Sequence, residues 1–258
     1  MARKKIGLAL SGGGARGFSH VGVLKVLVES GIPIDMIAGT SAGSIVGGCF
    51  AAGMSIDQIG AMSALIRYSS VMLPTIGMGG MFSNAPMGVL LAKNLPVKNI
   101  EDTGIPFAAI AFDLATSDMV VMKTGDLVTA IRASCSVPGV FAPVRDLEGR
   151  VLVDGGVVSP LPINIVREMG ADIVIGVDLL ASGSSFRVNS RTSLGIMLQS
   201  TMRLLQVASE SEHRNADVVI QPAIAHLRPD QINRRDEFIA LGESVARENL
   251  DQIKALID

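Results

Sequence analysis

The run Ile6-Gly7-Leu8-Ala9-Leu10-Ser11-Gly12-Gly13-Gly14-Ala15-Arg16-Gly17, taken with Gly39-Thr40-Ser41-Ala42-Gly43, decides the fold. Ile6–Leu10 is a continuous apolar run that breaks at glycine, as a strand buried on both faces of a parallel sheet requires. A helix is expected from about Phe18 to Glu29, with Gly31 as its stop signal. Met36–Ala38 reads as a second short strand, and Ser44–Ala52 as a helix ending at Gly53. This β-α-β-α rhythm specifies an α/β fold with a parallel sheet.

Downstream the rhythm loosens and then returns. Phe107–Phe112 and Met119–Met122 read as a strand pair, and Asp126–Cys135 as a helix that stops at Pro138. Val144–Leu147 and Arg150–Val153 flank a Glu148-Gly149 hairpin turn. Pro162–Met169 suits a helix with proline near its start, and Ile173–Val177 a buried strand. Thr192–Arg214 is amphipathic and helical, Val218–Ile220 a last short strand, and Asp236–Leu256 a last helix. Residues 70–95 fit neither period: they hold Pro74, Gly77, Gly79, Gly80 and Pro86 among Met72, Met78, Met81 and Met87. A mobile loop or broken helix is expected there, with Met72–Leu91 serving as a lid over an apolar site.

The chain has 258 residues, 48% of them hydrophobic, and no Pro/Gly/Ser-rich or charged linker interrupts it. One domain over residues 1–258 is expected, with a motif-bearing core at about 6–178 and a helical C-terminal part at about 190–258. A net charge of −2 with no basic stripe argues against nucleic-acid binding. Cys49 and Cys135 are isolated in apolar segments and read as buried free thiols of a reducing compartment. The apolar stretch after the basic Met1–Lys5 segment is too short for a signal peptide or a membrane span, so a cytoplasmic location is expected. Nothing in the sequence sets an oligomeric state.

Gly12–Gly17 satisfies G-x-G-x-x-G, a dinucleotide fingerprint. Its acidic partner should end the second strand, but Asp35 precedes that strand and Gly39–Gly43 occupies the far end. The alternative use of such a loop is to present backbone N–H groups to a phosphate or to the oxyanion of a tetrahedral intermediate. Gly39-Thr40-Ser41-Ala42-Gly43 is G-x-S-x-G at a strand-to-helix turn, where a strained serine projects its hydroxyl and the flanking glycines let strand and helix close up. Serine needs a proton acceptor. Of the three histidines, His20 lies inside the first helix and His213 reads as a solvated side chain. His226 would complete a Ser41–Asp154–His226 triad in α/β-hydrolase order. Asp154, at the end of an apolar strand and before Gly155-Gly156, is the stronger candidate; its alternative is an aspartate capping its own turn.

Four ordered blocks carry a resemblance to the patatin-like phospholipase family. They are Ser11–Gly17 with His20 and Gly22-Val23-Leu24; Gly39–Ser44; Ala133-Ser134-Cys135-Ser136-Val137-Pro138-Gly139-Val140-Phe141-Ala142-Pro143; and Asp154-Gly155-Gly156 followed by Pro160 and Pro162. The resemblance implies a three-layer α/β/α sandwich with a mostly parallel central sheet. It implies a Ser41–Asp154 dyad without histidine, an oxyanion hole at Gly12, Gly13 and Gly14, and no metal or cofactor. The substrates implied are phospholipids, lysophospholipids or neutral acyl esters, which allows transient contact with a membrane surface. Gly39 and Gly43 support the elbow. Arg16 supports the glycine loop or binds a phosphate head group. The short chain resembles stand-alone bacterial members related to neuropathy target esterase. A regulatory protein that keeps the fold and acts through contacts, using Met72–Met87, is the alternative from another class.

Overall fold

The computed structural model describes residues 3–77, 79–181 and 192–257. Met1, Met78 and residues 190, 191 and 258 of the expected C-terminal part lie outside them. The opening apolar run forms β1 (Ile6–Leu10), followed by α1 (Phe18–Glu29), β2 (Met36–Thr40), α2 (Ala42–Ala51) and α3 (Ile56–Ala64). Next come α4 (Tyr68–Val71), β3 (Leu73–Pro74), β4 (Gly80–Ser83) and α5 (Ala85–Asn94). The middle of the chain gives β5 (Phe107–Asp113), β6 (Met119–Met122), α6 (Leu127–Ser134), β7 (Gly139–Phe141), β8 (Val144–Arg145) and β9 (Val151–Asp154). It ends with α7 (Ile163–Glu168), β10 (Ile173–Val177), α8 (Ser193–Glu212), β11 (Val218–Ile220) and α9 (Arg235–Ile257).

The main sheet runs β11-β10-β1-β2-β5-β9-β8, with β6 also paired to β5. The pairings from β11 through β5 are parallel, and those of β6, β8 and β9 are antiparallel. The expected mostly parallel sheet is therefore mixed at one side, with helices on both faces. Strand alternation sorts the core into two layers. Leu8, Leu10, Ile37, Phe107 and Ile175 face a large cluster shared with α1, α2, α3 and α9. Ala9, Met36, Ala38, Ala108 and Val174 face a smaller cluster closed by Ile163, Ile165 and Val166 of α7. Gly7 admits α7: a Cβ there would stand 2.1 Å from Val166 Cγ1.

The last helix, α9, packs on α1 with backbone against backbone. A Cβ at Gly22 would stand 2.1 Å from the Ile239 carbonyl oxygen, and one at Gly242 would stand 2.1 Å from that of Ser19. Because α1 begins directly after the glycine loop, this contact also anchors the loop. No helix among the described residues is long and apolar enough to cross a membrane.

Two expectations change. Residues 70–95 are not a loop throughout, because Ala85–Asn94 is helical and buries Met87 and Leu91. Pro86 sits in the first turn of α5, where its missing N–H costs nothing. The β3–β4 pair joins β7 in a second small sheet. The helix α3 falls in a stretch left unassigned from sequence. Its capping box is complete: Ser55 Oγ accepts from Gln58 N and the Gln58 side chain accepts from Ser55 N.

Candidate active site

Ser41 links β2 to α2 with φ 52° and ψ −122°, a left-handed conformation that a non-glycine residue holds only under constraint. The constraint is contact on both sides. A Cβ at Gly39 would lie 2.5 Å from the Gly43 carbonyl oxygen, and one at Gly43 2.2 Å from that of Leu10. The Ser41 amide donates to Ser134 Oγ at 2.9 Å, and the Ser41 carbonyl accepts from Ser44 Oγ at 2.7 Å. Strand, turn and helix thus close tightly enough to hold the hydroxyl at the N-terminus of α2.

The first glycine loop lies against this elbow. A Cβ at Gly12 would meet Ser41 Cβ at 3.3 Å, and one at Gly17 would meet Ala42 Cβ at 2.5 Å. Gly12 N–H is already committed, to the Pro160 carbonyl at 3.0 Å, which removes it from the expected set of three oxyanion donors. Ala15 N–H is committed to the Pro229 carbonyl at 2.7 Å. The amides of Gly13 and Gly14 have no acceptor among the described residues, so they are the donors this loop has to offer.

Asp154 ends β9 and is 6% exposed. The pairings Thr40↔Ile110 and Ala111↔Asp154 bring it toward the elbow across β5, and Gly155 follows because a Cβ there would lie 2.3 Å from the Ile110 carbonyl oxygen. Its amide donates to the Ser136 carbonyl at 2.9 Å, and its Oδ1 accepts from Gly156 N at 2.8 Å. Its Oδ2 is buried and has no hydrogen-bond partner among the described residues. Burial raises the Asp154 pKa to about 6, against the lowering pull of the Ser41 hydroxyl and the Gly156 amide.

The third sequence block therefore carries two positions that sequence reasoning did not single out. Ser134 holds the amide of Ser41, and Ser136 holds the amide of Asp154. Asn84 braces that segment, donating to the Arg132 carbonyl at 2.8 Å and to Ser136 Oγ at 3.0 Å while accepting from Arg132 Nε. The block was visible as a pattern, but Asn84 carries no sequence signal.

The remaining candidates lie elsewhere. His226 Nε2 meets Glu237 Oε1 at 3.1 Å on the surface and does not hydrogen-bond to Ser41 or Asp154. His213, expected to be solvated, is half-buried with Nε2 2.7 Å from the fully buried Asp178 carboxylate. His20 is buried, with Nε2 2.9 Å from the Ser11 carbonyl, and burial lowers its pKa to about 4. Asp35 accepts from Ile6 N at the start of β1, at the end of the strand away from the glycine loop. Arg16 is buried, with Nε and Nη2 donating to the Leu227 carbonyl and Nη1 to that of Leu179. Both cysteines are buried and free.

Ser41 and Gly14 stand at the wall of a cavity of about 280 Å³. Val46, Ile59, Met62, Ile66, Leu90 and Leu91 supply apolar wall from α2, the α3 region and α5. Asp230 is the one charged lining residue among those described.

A strained serine elbow, a second glycine loop beside it and a strand-end aspartate, all carried on a mixed α/β/α sandwich, define a patatin-type α/β domain. The family model for patatin-like phospholipase matches residues 8–167, more than half of the chain, and the chain belongs to that family. It is 37% identical over 181 residues to patatin-like phospholipase domain-containing protein 6 of Homo sapiens, covering 67% of this chain and 13% of that protein. It is 34% identical over 213 residues to an uncharacterized NTE family protein of Mycobacterium tuberculosis, covering 80% of this chain and 59% of that one. The chain thus spans only part of these relatives' length. Among solved structures, VipD from Legionella pneumophila superposes with a TM-score of 0.56 at 14% identity, over 97% of this chain and 67% of that one, which is a likeness of fold.

The raised carboxyl has a consequence for stability. An aspartate in the unfolded chain titrates at about 3.8; in the fold, burial pushes Asp154 up to about 6. Between those values the folded state holds a proton that the unfolded state has lost, so stability falls as pH rises through that window. Asp154→Asn removes the buried charge and is expected to raise stability by about 1–3 kcal/mol at pH 7.5 while changing it little at pH 4. Urea denaturation at the two pH values measures this; a variant less stable than wild type at pH 7.5 would contradict it.

Proposed function

We propose that this protein is a lipid acyl hydrolase in which Ser41 is the nucleophile and Asp154 alone is its base. The observation that carries this reading is the buried Asp154 carboxyl beside the Ser41 hydroxyl, its Oδ2 without a hydrogen-bond partner among the described residues, next to an apolar cavity. Ser41 Oγ attacks the ester carbonyl carbon, its proton passes to Asp154 Oδ2, and the carbonyl electron pair moves onto oxygen. Gly13 and Gly14 N–H groups face that oxygen. Collapse expels the alcohol, which takes the proton from Asp154 and leaves an acyl ester on Ser41. Water then attacks the acyl carbon and gives its proton to the same carboxylate. The second collapse releases the fatty acid and returns the proton to Ser41 Oγ.

The cavity wall suits an acyl chain, and the names of the relatives point to phospholipids as the ester class. The reading needs no metal and no cofactor. A carboxylate can serve as the base because burial lifts its pKa toward the working pH.

Contact with a lipid surface goes with this reading. Between Arg67 and Lys93 the chain holds no charged residue. Its inward side chains, Tyr68, Val71, Met72, Met87, Leu90 and Leu91, line the cavity. Its outward ones do not fold back: Leu73 is 56%, Ile76 99% and Met81 41% exposed. The stretch expected as a lid thus divides into the β3–β4 hairpin, which carries the outward apolar side chains, and α5, which walls the cavity.

Ser41→Ala and Asp154→Asn are each expected to lower p-nitrophenyl ester turnover by roughly a thousandfold or more, and His226→Ala by less than about twofold. Wild-type kcat/KM should rise with pH through about 6, where Asp154 ionises. An equal loss in His226→Ala would replace the dyad by a triad.

Ile76→Glu should lower turnover of phospholipid in vesicles by roughly tenfold, since it places a charge where apolar surface would enter the bilayer. Turnover of a soluble butyrate ester should stay unchanged. Equal effects on the two substrates, or none, would remove the hairpin from the lipid surface.

A further inference from the structure

We propose that Ser11 is a positioning residue: its hydroxyl locks the Gly12–Gly13 peptide plane so that Gly13 N–H faces the acyl carbonyl at Ser41. The inference rests on the reading of Gly13 and Gly14 as oxyanion donors and names what keeps one of them aimed.

Ser11 is fully buried at the end of β1, and its hydroxyl makes two hydrogen bonds, both to backbone. It accepts from Leu179 N at 2.9 Å and donates to the Gly12 carbonyl at 3.0 Å. The accepted bond fixes the oxygen in place, and the donated bond then fixes the direction of the Gly12 C=O. In a trans peptide the N–H of the next residue points opposite to that carbonyl. The Ser11 hydroxyl therefore sets where Gly13 N–H points, although it stands on the other side of the plane.

The preceding peptide is held independently. The Ser11 carbonyl receives His20 Nε2–H at 2.9 Å, and Gly12 N–H donates to the Pro160 carbonyl at 3.0 Å. With its pKa lowered to about 4, His20 is neutral at working pH, and a proton on Nε2 fits the acceptor it faces. The Gly12–Gly13 plane has no backbone–backbone hydrogen bond among the described residues; the Ser11 hydroxyl is the donor to its carbonyl. Both residues around it are glycine, which rotates through conformations closed to other residues. Two glycines let the loop approach Ser41 but set no backbone dihedral preference of their own, and the Ser11 hydrogen bond supplies the orientation. Preorganised donors stabilise the transition state more than the ground state, so the effect belongs in kcat.

The test compares wild type, Ser11→Ala and Ser11→Thr with one p-nitrophenyl ester and two inhibitors. The first inhibitor is a long-chain alkyl trifluoromethyl ketone, whose serine hemiketal places an oxyanion at the Gly13 and Gly14 amides. The second is the matching fatty alcohol, which fills only the cavity. Ser11→Ala is expected to lower kcat by roughly tenfold to a hundredfold, less than outright loss of a donor, with KM within about twofold. Ketone inhibition should weaken by a similar factor, and alcohol inhibition should not change. Ser11→Thr, which keeps the hydroxyl, should restore kcat. If Ser11→Ala does not fold, Ser11→Cys carries the same comparison at nearly the same volume with a much weaker donor. Unchanged kcat, or equal weakening of ketone and alcohol, would overturn the inference. An active wild type with an unaffected Ser11→Ala would overturn this inference alone; an inactive folded wild type would overturn the hydrolase reading with it.

Discussion

The backbone of Ser41 at φ 52° and ψ −122° is the constraint around which the rest is arranged. Such a conformation costs on the order of 1–3 kcal/mol and persists only where the surroundings over-determine it. Here they do so from three directions. Gly43 presses on the Leu10 carbonyl of β1, Gly39 presses on Gly43, and Ser134 of α6 takes the Ser41 amide. The two glycine loops also pack on each other, with Gly12 against Ser41 and Gly17 against Ala42. A side chain larger than hydrogen at any of these contacts would push the loops apart, which explains the glycine crowding at the ends of β1 and β2.

A second conflict follows from the first. The elbow faces a carboxylate kept out of water, with one oxygen on Gly156 N and the other without a partner among the described residues. A buried unpaired acceptor is costly in a structural role. The same deprivation lifts its pKa into a range where it can hold a proton during a reaction. Ser136 and Asn84 keep this carboxylate in register by bracing the segment that accepts its amide. Asp154 Oδ2 is one of four buried side-chain polar atoms among the described residues that have no hydrogen-bond partner, and its carboxyl is the one beside the Ser41 hydroxyl.

What could be read beforehand follows from how local each signal is. β1, the elbow and the strand ending at Asp154 each announce themselves within a few residues, through apolar runs that stop at glycine. The sheet register that brings Asp154 toward Ser41 does not, because it depends on β5 lying between them. Ser134, Ser136 and Asn84 act through backbone partners distant in sequence, so their types reveal little alone. Gly12 looked like a third oxyanion donor until the fold bound its amide to Pro160. His213 looked solvated because its helix is polar, yet Asp178, just past the end of β10, draws it inward. The segment Ala85–Asn94 looked irregular because glycine and proline near its start outweighed a short apolar period; packing of Met87 and Leu91 decided for helix. α3 was legible in its Ser55–Gln58 capping box and was missed.

The central claim, a serine activated by an aspartate alone, is tested most directly by covalent capture. Folded protein is treated with an alkyl fluorophosphonate at neutral pH, and the intact mass and peptide map are read. The account predicts one adduct per chain, on the peptide bearing Ser41, with labelling lost in Asp154→Ala and retained when His20, His213 and His226 are each replaced by alanine in folded variants. No adduct on folded wild-type protein, an adduct on another residue, or labelling that needs one of the histidines would contradict it.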